Sequence, residues 1–243
     1  MGRFHSTVLG ALLTLGLAVP AGATSLTISN IVGGWQNADP AANATITNQA
    51  GQALDKAVWG TPQGGPGPSG YDFTPTAGSI TPALGVAFAL GTFVHHNNPI
   101  AAGTSIVGID YSFGFDTNGI PSSLADVFHF DHNETPNVAP CPSPSAIPCD
   151  DIVTISSVNL NALITVGSDA YFFNLLGFST NGGATFSSQF FSQEGGQNSA
   201  ELFGVVTERP VGGDAVPEPA SLVLLGSGLL GAGAKYRRRR RRP

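Results

Sequence analysis

Large apolar residues recur at every second position through much of the chain. Between positions 104 and 116, Val107, Ile109, Tyr111, Phe113 and Phe115 alternate with Gly108, Asp110, Ser112 and Gly114. In an extended strand this puts the five large side chains on one face. The same period predicts strands at 84–95, 126–132, 152–158, 162–166, 170–179, 184–192 and 201–208, and shorter ones at 26–31, 44–47 and 56–59. Thr117-Asn118-Gly119, Asn181-Gly182-Gly183 and Gly195-Gly196-Gln197-Asn198 supply residues that tolerate positive φ between them. About ten strands with hairpin turns predict an all-β chain, a single antiparallel β-sandwich of jelly-roll-like form. The stretch 63–70, QGGPGPSG, breaks the alternation and reads as a mobile loop.

The two ends follow a different pattern. Arg3 precedes an apolar run at 7–19, and Ala21-Gly22-Ala23 follows it. A basic start, a short apolar helix and small residues at the cut site describe a secretory signal peptide over 1–23, with Thr24 as the new N-terminus after signal peptidase. At the other end Val216-Pro217-Glu218-Pro219 is followed by an uncharged run at 220–234, then Lys235, Tyr236 and arginine at each position of 237–242. As a helix that run is about 23 Å long, somewhat short of a ~30 Å hydrocarbon core. It spans with help from Tyr236 at the interface, snorkelling of Lys235 and local thinning of the bilayer. The arginines stay cytoplasmic and leave the preceding chain outside the inner membrane. The expected division is therefore a signal helix at 1–23, a body at 24–213 and a sorting tail at 214–243, with its transmembrane helix at 220–236.

This tail resembles the PEP-CTERM sorting signal of Gram-negative bacteria, with Pro217, Glu218 and Pro219 as the motif and the arginines of 237–242 as the stop. The resemblance implies recognition by an exosortase, which cuts near the motif. An intermediate anchored in the inner membrane would then yield a product at the cell surface or in the extracellular medium.

Charge narrows the partners of the body. Only 11% of residues are charged, against about 25% in ordinary globular proteins. Positions 24–216 hold 15 of the 16 acidic residues, and Lys56 and Arg209 are the only Lys or Arg there. Such a surface lacks the cations that displace counterions from nucleic acid, so no nucleic-acid partner is expected. Divalent cations would instead lower its self-repulsion and bridge it to anionic polysaccharide. Cys141 and Cys149 are the only cysteines, and in an exported chain they are expected to form a disulfide worth roughly 2.5 kcal/mol.

Candidate chemistry is sparse. Behind the signal, histidine occurs in His95-His96-Asn97-Asn98 and His129-Phe130-Asp131-His132. Residues two apart share a strand face, so His129 and Asp131 project together, and with His95 they make a candidate transition-metal set. The alternative is that these polar residues sit at strand ends and hydrogen-bond to loops. Asp116-Thr117-Asn118-Gly119 begins like a Ca2+ turn but lacks the later acidic ligands, so an ordinary hairpin is expected. No GxSxG elbow or free cysteine nucleophile is present. No enzyme, catalytic residue or cofactor is expected, beyond a Ca2+ or transition-metal ion. Trp35, Trp59 and Tyr71 lie beside glycines; they either plug the sandwich or present flat faces to a sugar.

Within the body, Trp59-Gly60, Ser69-Gly70-Tyr71-Asp72-Phe73 and the stretch 90–100, LGTFVHHNNPI, resemble the THxN family of PEP-CTERM proteins. The namesake motif falls on Val94, His95, His96 and Asn97, so His95 and Asn97 are kept and Thr is replaced by Val. The expected function is that of an exported, non-enzymatic surface or matrix protein associated with exopolysaccharide or biofilm. A metal-dependent extracellular hydrolase using His95, His129 and Asp131, and a soluble carbohydrate-binding module, are the competing readings.

Overall fold

The computed structural model describes residues 25–48, 55–142, 145, 148–157, 162–166 and 169–209. The signal segment, the sorting motif and the apolar run at 220–236 lie outside the described residues. Among the described residues no helix is long and apolar enough to cross a membrane.

The strands in chain order are β1 (Ile28–Asp39), β2 (Ala44–Asn48), β3 (Asp55–Trp59), β4 (Ser69–Pro75), β5 (Ser79–Ile80), β6 (Ala87–Asn97), β7 (Gly108–Thr117), β8 (Ile120–Asn133), β9 (Asp151–Ile155), β10 (Ala162–Val166), β11 (Asp169–Ser179), β12 (Gln189–Ser192) and β13 (Gly196–Glu208). They form a six-stranded sheet, β12-β9-β8-β7-β1-β5, and a seven-stranded sheet, β10-β11-β13-β6-β4-β3-β2. Every pairing is antiparallel. The two sheets pack face to face as a sandwich, as the period-two pattern predicts.

Two local expectations change. Residues 63–70 are tied into the fold: the Gln63 amide donates to the Pro99 carbonyl at 2.8 Å, and Ser69 and Gly70 already belong to β4. Gly196, Gln197 and Asn198, expected in a turn, instead pair with Asn97, His96 and His95. Neighbouring strands on both sides outweigh the weak strand propensity of Gly and Asn. The β7–β8 turn is the expected hairpin, with Asn118 and Gly119 at φ of 50° and 76°. Asn118 exchanges two 2.8 Å hydrogen bonds with the backbone of Thr27, and Asp116 accepts one from Asn30. The polar groups of Asn118 are therefore consumed by the fold.

Alternation builds the interior. Ile109, Tyr111, Phe113 and Phe115 of β7 face Phe73 and Phe93 from the opposite sheet, all at most 2% exposed. Trp35 of β1 sits at the centre, with ring centroids 4.7 Å from Tyr111, 5.4 Å from Tyr71 and Phe130, and 6.3 Å from Phe93. Tyr71 and Phe93 come from the seven-stranded sheet and the others from the six-stranded one. Edge-on aromatic contacts add about 0.5–1.5 kcal/mol each to simple burial, so this cluster is the main lock between the layers. Gly177, at φ 116°, makes the bulge between Leu175 and Phe178 that keeps both inside; a Cβ there would fall 2.3 Å from the Ser187 carbonyl oxygen.

One buried pair spans the sheets beside Trp35: the Tyr111 hydroxyl donates to Asp55 Oδ2 at 2.7 Å. Burial raises the Asp55 carboxyl, opposed by the hydrogen bond from Tyr111. Because the folded state holds the Asp55 proton more tightly, this group's contribution to stability falls as pH rises out of the ordinary Asp range. Asp55→Asn is expected to remove that decline, read as thermal midpoints across pH 4–7. Tyr111→Phe, which strands the carboxylate, is expected to cost about 1–3 kcal/mol in urea denaturation.

Candidate functional site

At one end of the interior the side chains change from hydrocarbon to imidazole and carboxylate. Alternation on β6 carries Phe93, His95 and Asn97 inward, β8 carries Phe128, Phe130 and His132 inward, and β9 does the same with Asp151, Val153 and Ile155. His95 comes from the seven-stranded sheet, His132 and Asp151 from the six-stranded one. His95 and Asp151 are wholly buried, and His132 is 4% exposed. Each offers a donor atom within 4.8 Å of the others. The two imidazoles lie nearly perpendicular, with centroids 5.3 Å apart.

Each of these groups except His95 is held by its outer atom. The Tyr71 hydroxyl lies 2.6 Å from His132 Nδ1, which leaves His132 Nε2 3.5 Å from Glu134 Oε2 and 3.9 Å from Asp151 Oδ2. The Thr135 amide donates to Asp151 Oδ1 at 2.8 Å, and the Thr135 hydroxyl donates to the Cys149 carbonyl at 3.2 Å. The Cys141–Cys149 disulfide, present as expected, closes the loop that delivers Asp151. Glu194 accepts from Asn137 at 3.0 Å and lies within 4.8 Å of the carboxylates of Glu134 and Asp151. Trp59 stacks on His95 at 5.9 Å. Among the described residues, both nitrogens of His95, Oδ2 of Asp151 and Oε1 of Glu194 have no hydrogen-bond partner.

The electrostatics follow from burial. Desolvation, and then the nearby His132, push the His95 imidazole well below its ordinary value, so the ring is neutral. Desolvation and the Glu134 charge push Asp151 up to about 8. Glu194 is raised for the same two reasons, although its bond from Asn137 opposes them. Burial drives the Tyr71 phenol well upward, with the negative charges of Asp151 and Glu134 adding to it.

The structure separates the metal set expected from sequence. His129 and Asp131 do share a face, but it is the outer face of the six-stranded sheet. There His129 Nδ1 lies 2.7 Å from Asp110 and Nε2 lies 3.3 Å from Asp131. His95 points into the interior and meets His132 instead. The sequence signal for the true partners was present: His132 is in phase with Phe128 and Phe130, and Asp151 with Val153 and Ile155. A charged residue in register with a buried series is the mark of an interior polar site.

The motif residues divide by face. Asn97 donates across the sandwich to the Ser192 carbonyl at 2.8 Å, linking β6 to β12. Val94 and His96 point outward, where His96 lies 2.7 Å from Asp72, so the Thr-to-Val departure does not reach the interior cluster. A shallow groove of about 300 Å³ runs beside His96, between Lys56, Asn98 and Gln197. Trp35, Trp59 and Tyr71 are at most 2% exposed, so their rings plug the sandwich and present no face to a sugar.

Carboxylates lie on the outer positions of both sheets, but among the described residues Lys and Arg occur on only one. Asp110, Asp116 and Asp131 lie on strands of the six-stranded sheet and are at least partly exposed. Both cations among the described residues belong to the other sheet, Lys56 on β3 and Arg209 just past β13, where its amide donates to the Ala170 carbonyl.

Asn97→Ala removes the cross-sheet hydrogen bond and leaves the Ser192 carbonyl unpaired. A loss of about 1–2 kcal/mol in chemical denaturation is expected. Val94→Thr, on the outer face, is expected to stay within about 0.5 kcal/mol of the parent.

No curated protein matches the chain at a significant level. Residues 215–241 match the family model of the PEP-CTERM protein-sorting motif. The C-terminal region of this chain is therefore a PEP-CTERM sorting motif, which implies processing by an exosortase and export through a membrane-anchored intermediate.

Proposed function

We propose that the body works outside a Gram-negative cell as a non-enzymatic surface or matrix component that associates with exopolysaccharide, as in a biofilm coat. The observation that carries this reading is an outer face of the six-stranded sheet that bears carboxylates and, among the described residues, no Lys or Arg. The six-stranded sheet turns Asp110, Asp116 and Asp131 outward, while Lys56 and Arg209 sit on the other sheet. A cation-free acidic face takes up divalent ions, and those ions bridge it to the carboxylates of an anionic polysaccharide. Asn30 and Asn37, hydrogen-bonded to Asp116 and Asp110, hold two of these carboxylates in fixed positions on that face.

The interior supports the non-enzymatic half of the reading. A catalytic group must touch its substrate, and His95, His132 and Asp151 are sealed between the sheets. The body's resemblance to the THxN family fits the same reading and adds no activity to it.

Two measurements test this function. Co-sedimentation of the exported protein with the host's own exopolysaccharide is expected to need Ca2+ and to be reversed by chelator. Replacing Asp110, Asp116 and Asp131 together by Asn is expected to reduce retention at least tenfold; equal retention of parent and variant would refute the role given to this face. Intact mass of the protein recovered outside the cell is expected to correspond to a chain lacking both 1–23 and the arginine cluster, with the Cys141–Cys149 bond formed.

A further inference from the structure

The interior cluster is hard to explain as ordinary core. An unsatisfied buried polar atom costs about 1–3 kcal/mol. His95 has two such atoms and Asp151 has one, in a cluster whose donors lie within 4.8 Å of one another, and Glu194, grouped with Asp151, has another. Aromatic packing around His95 from Trp59, Tyr71 and His132 leaves no hydroxyl or carbonyl to satisfy its nitrogens. One nitrogen of the His95 ring and the unpartnered carboxyl oxygens each present a lone pair.

We propose that His95, His132 and Asp151 form a buried structural centre for a divalent first-row transition ion, with Glu134 as fourth ligand, and that the ion clamps the two sheets together. The orientation of the donors supports this. Metal-bound imidazoles and carboxylates are usually fixed by a hydrogen bond to the atom that does not ligate. Tyr71 does this for His132 Nδ1, and Thr135 does it for Asp151 Oδ1. Ser105 donates at 3.1 Å to Glu134 Oε2, the oxygen that also faces His132, and so fixes the position of that carboxylate.

Geometry and donor type select the ion. Ligands at 2.0–2.2 Å around a tetrahedral Zn2+ lie about 3.4 Å apart. The donors of His95, His132 and Asp151 already lie within 4.8 Å of one another, and Glu134 lies within 4.8 Å of Asp151 and 3.5 Å from His132, so rotamer adjustments bring them to that spacing. Two imidazoles argue against Ca2+ and Mg2+, which take oxygen shells. Soft Cu+ is disfavoured because the cysteines form a disulfide and Met1 is the only methionine. Two nitrogens and two carboxylates suit Zn2+, and two ionised carboxylates would neutralise its charge. Enclosure of His95, His132 and Asp151 makes the centre structural, because a catalytic zinc keeps a position open. This inference is independent of the polysaccharide reading, which concerns the outer face.

The test uses the full chain with its export signals, recovered from the periplasm of an expression host and dialysed against Zn2+. Elemental analysis is expected to give a stoichiometric ion, and a strong chelator is expected to lower the thermal midpoint. His95→Gln and Asp151→Asn should lose the ion, whereas His129→Gln, on the outer face, should keep it. Tyr71→Phe should weaken Zn2+ binding about 10- to 100-fold, as loss of an orienting partner does. If the two ligand variants fail to fold, Co2+ loading of the parent decides. Visible d–d bands of a four-coordinate N/O site uphold the proposal, and their absence overturns it. Absence of a stoichiometric ion from the parent, or equal loss of it in His129→Gln, also overturns it.

Discussion

Two sheets can share one interior only if every inward side chain meets a complement from the opposite layer. Here Trp35 fills that role at the centre, touching Tyr111 and Phe130 from its own sheet and Tyr71 and Phe93 from the other. Once those rings are locked, strand parity dictates what lies inside elsewhere. His132 must enter because it is in phase with Phe130, His95 because it is in phase with Phe93, and Asp151 because it is in phase with Val153. Turning any of them out would slip a strand by one residue and expose its apolar face, a far larger penalty than burying one polar group.

The polar end of the sandwich is thus sustained by the aromatic part. A lone buried imidazole or carboxylate is destabilising, and here the chain surrounds such groups with orienting partners. Tyr71, Thr135 and Asn137 each take one atom of a neighbouring polar group and leave another atom facing the cluster. The Cys141–Cys149 loop contributes by delivering Asp151 two residues after the second cysteine. These features place a rigid polar site where both sheets meet, shielded from solvent, in a protein destined for the outside of the cell.

Address and architecture are written in different parts of the chain and in different codes. The sorting tail is a linear signal of motif, apolar run and basic cluster, read by a membrane enzyme. The body is specified by alternation over many strands. The Lys and Arg of the body also fall on one sheet, a property visible only when β3 and β13 are known to belong to one layer and β7 and β8 to the other.

By itself, the sequence determined the all-β class, most of the strands, the Asn118-Gly119 hairpin, the disulfide and the sorting motif, because each depends on residues close together along the chain. It also carried the parity of every histidine: His129 with Asp131 on one face, His132 on the other. It was blind to β4, whose first residues, Ser69 and Gly70, look like the end of a glycine- and proline-rich loop and become a strand only between β3 and β6. Which histidine faces His95 was decided by the tertiary structure alone. Parity assigns a side chain to a face, but only the packing of one sheet on the other brings position 95 against positions 132 and 151. That contact depends on strand order and register across the whole sandwich.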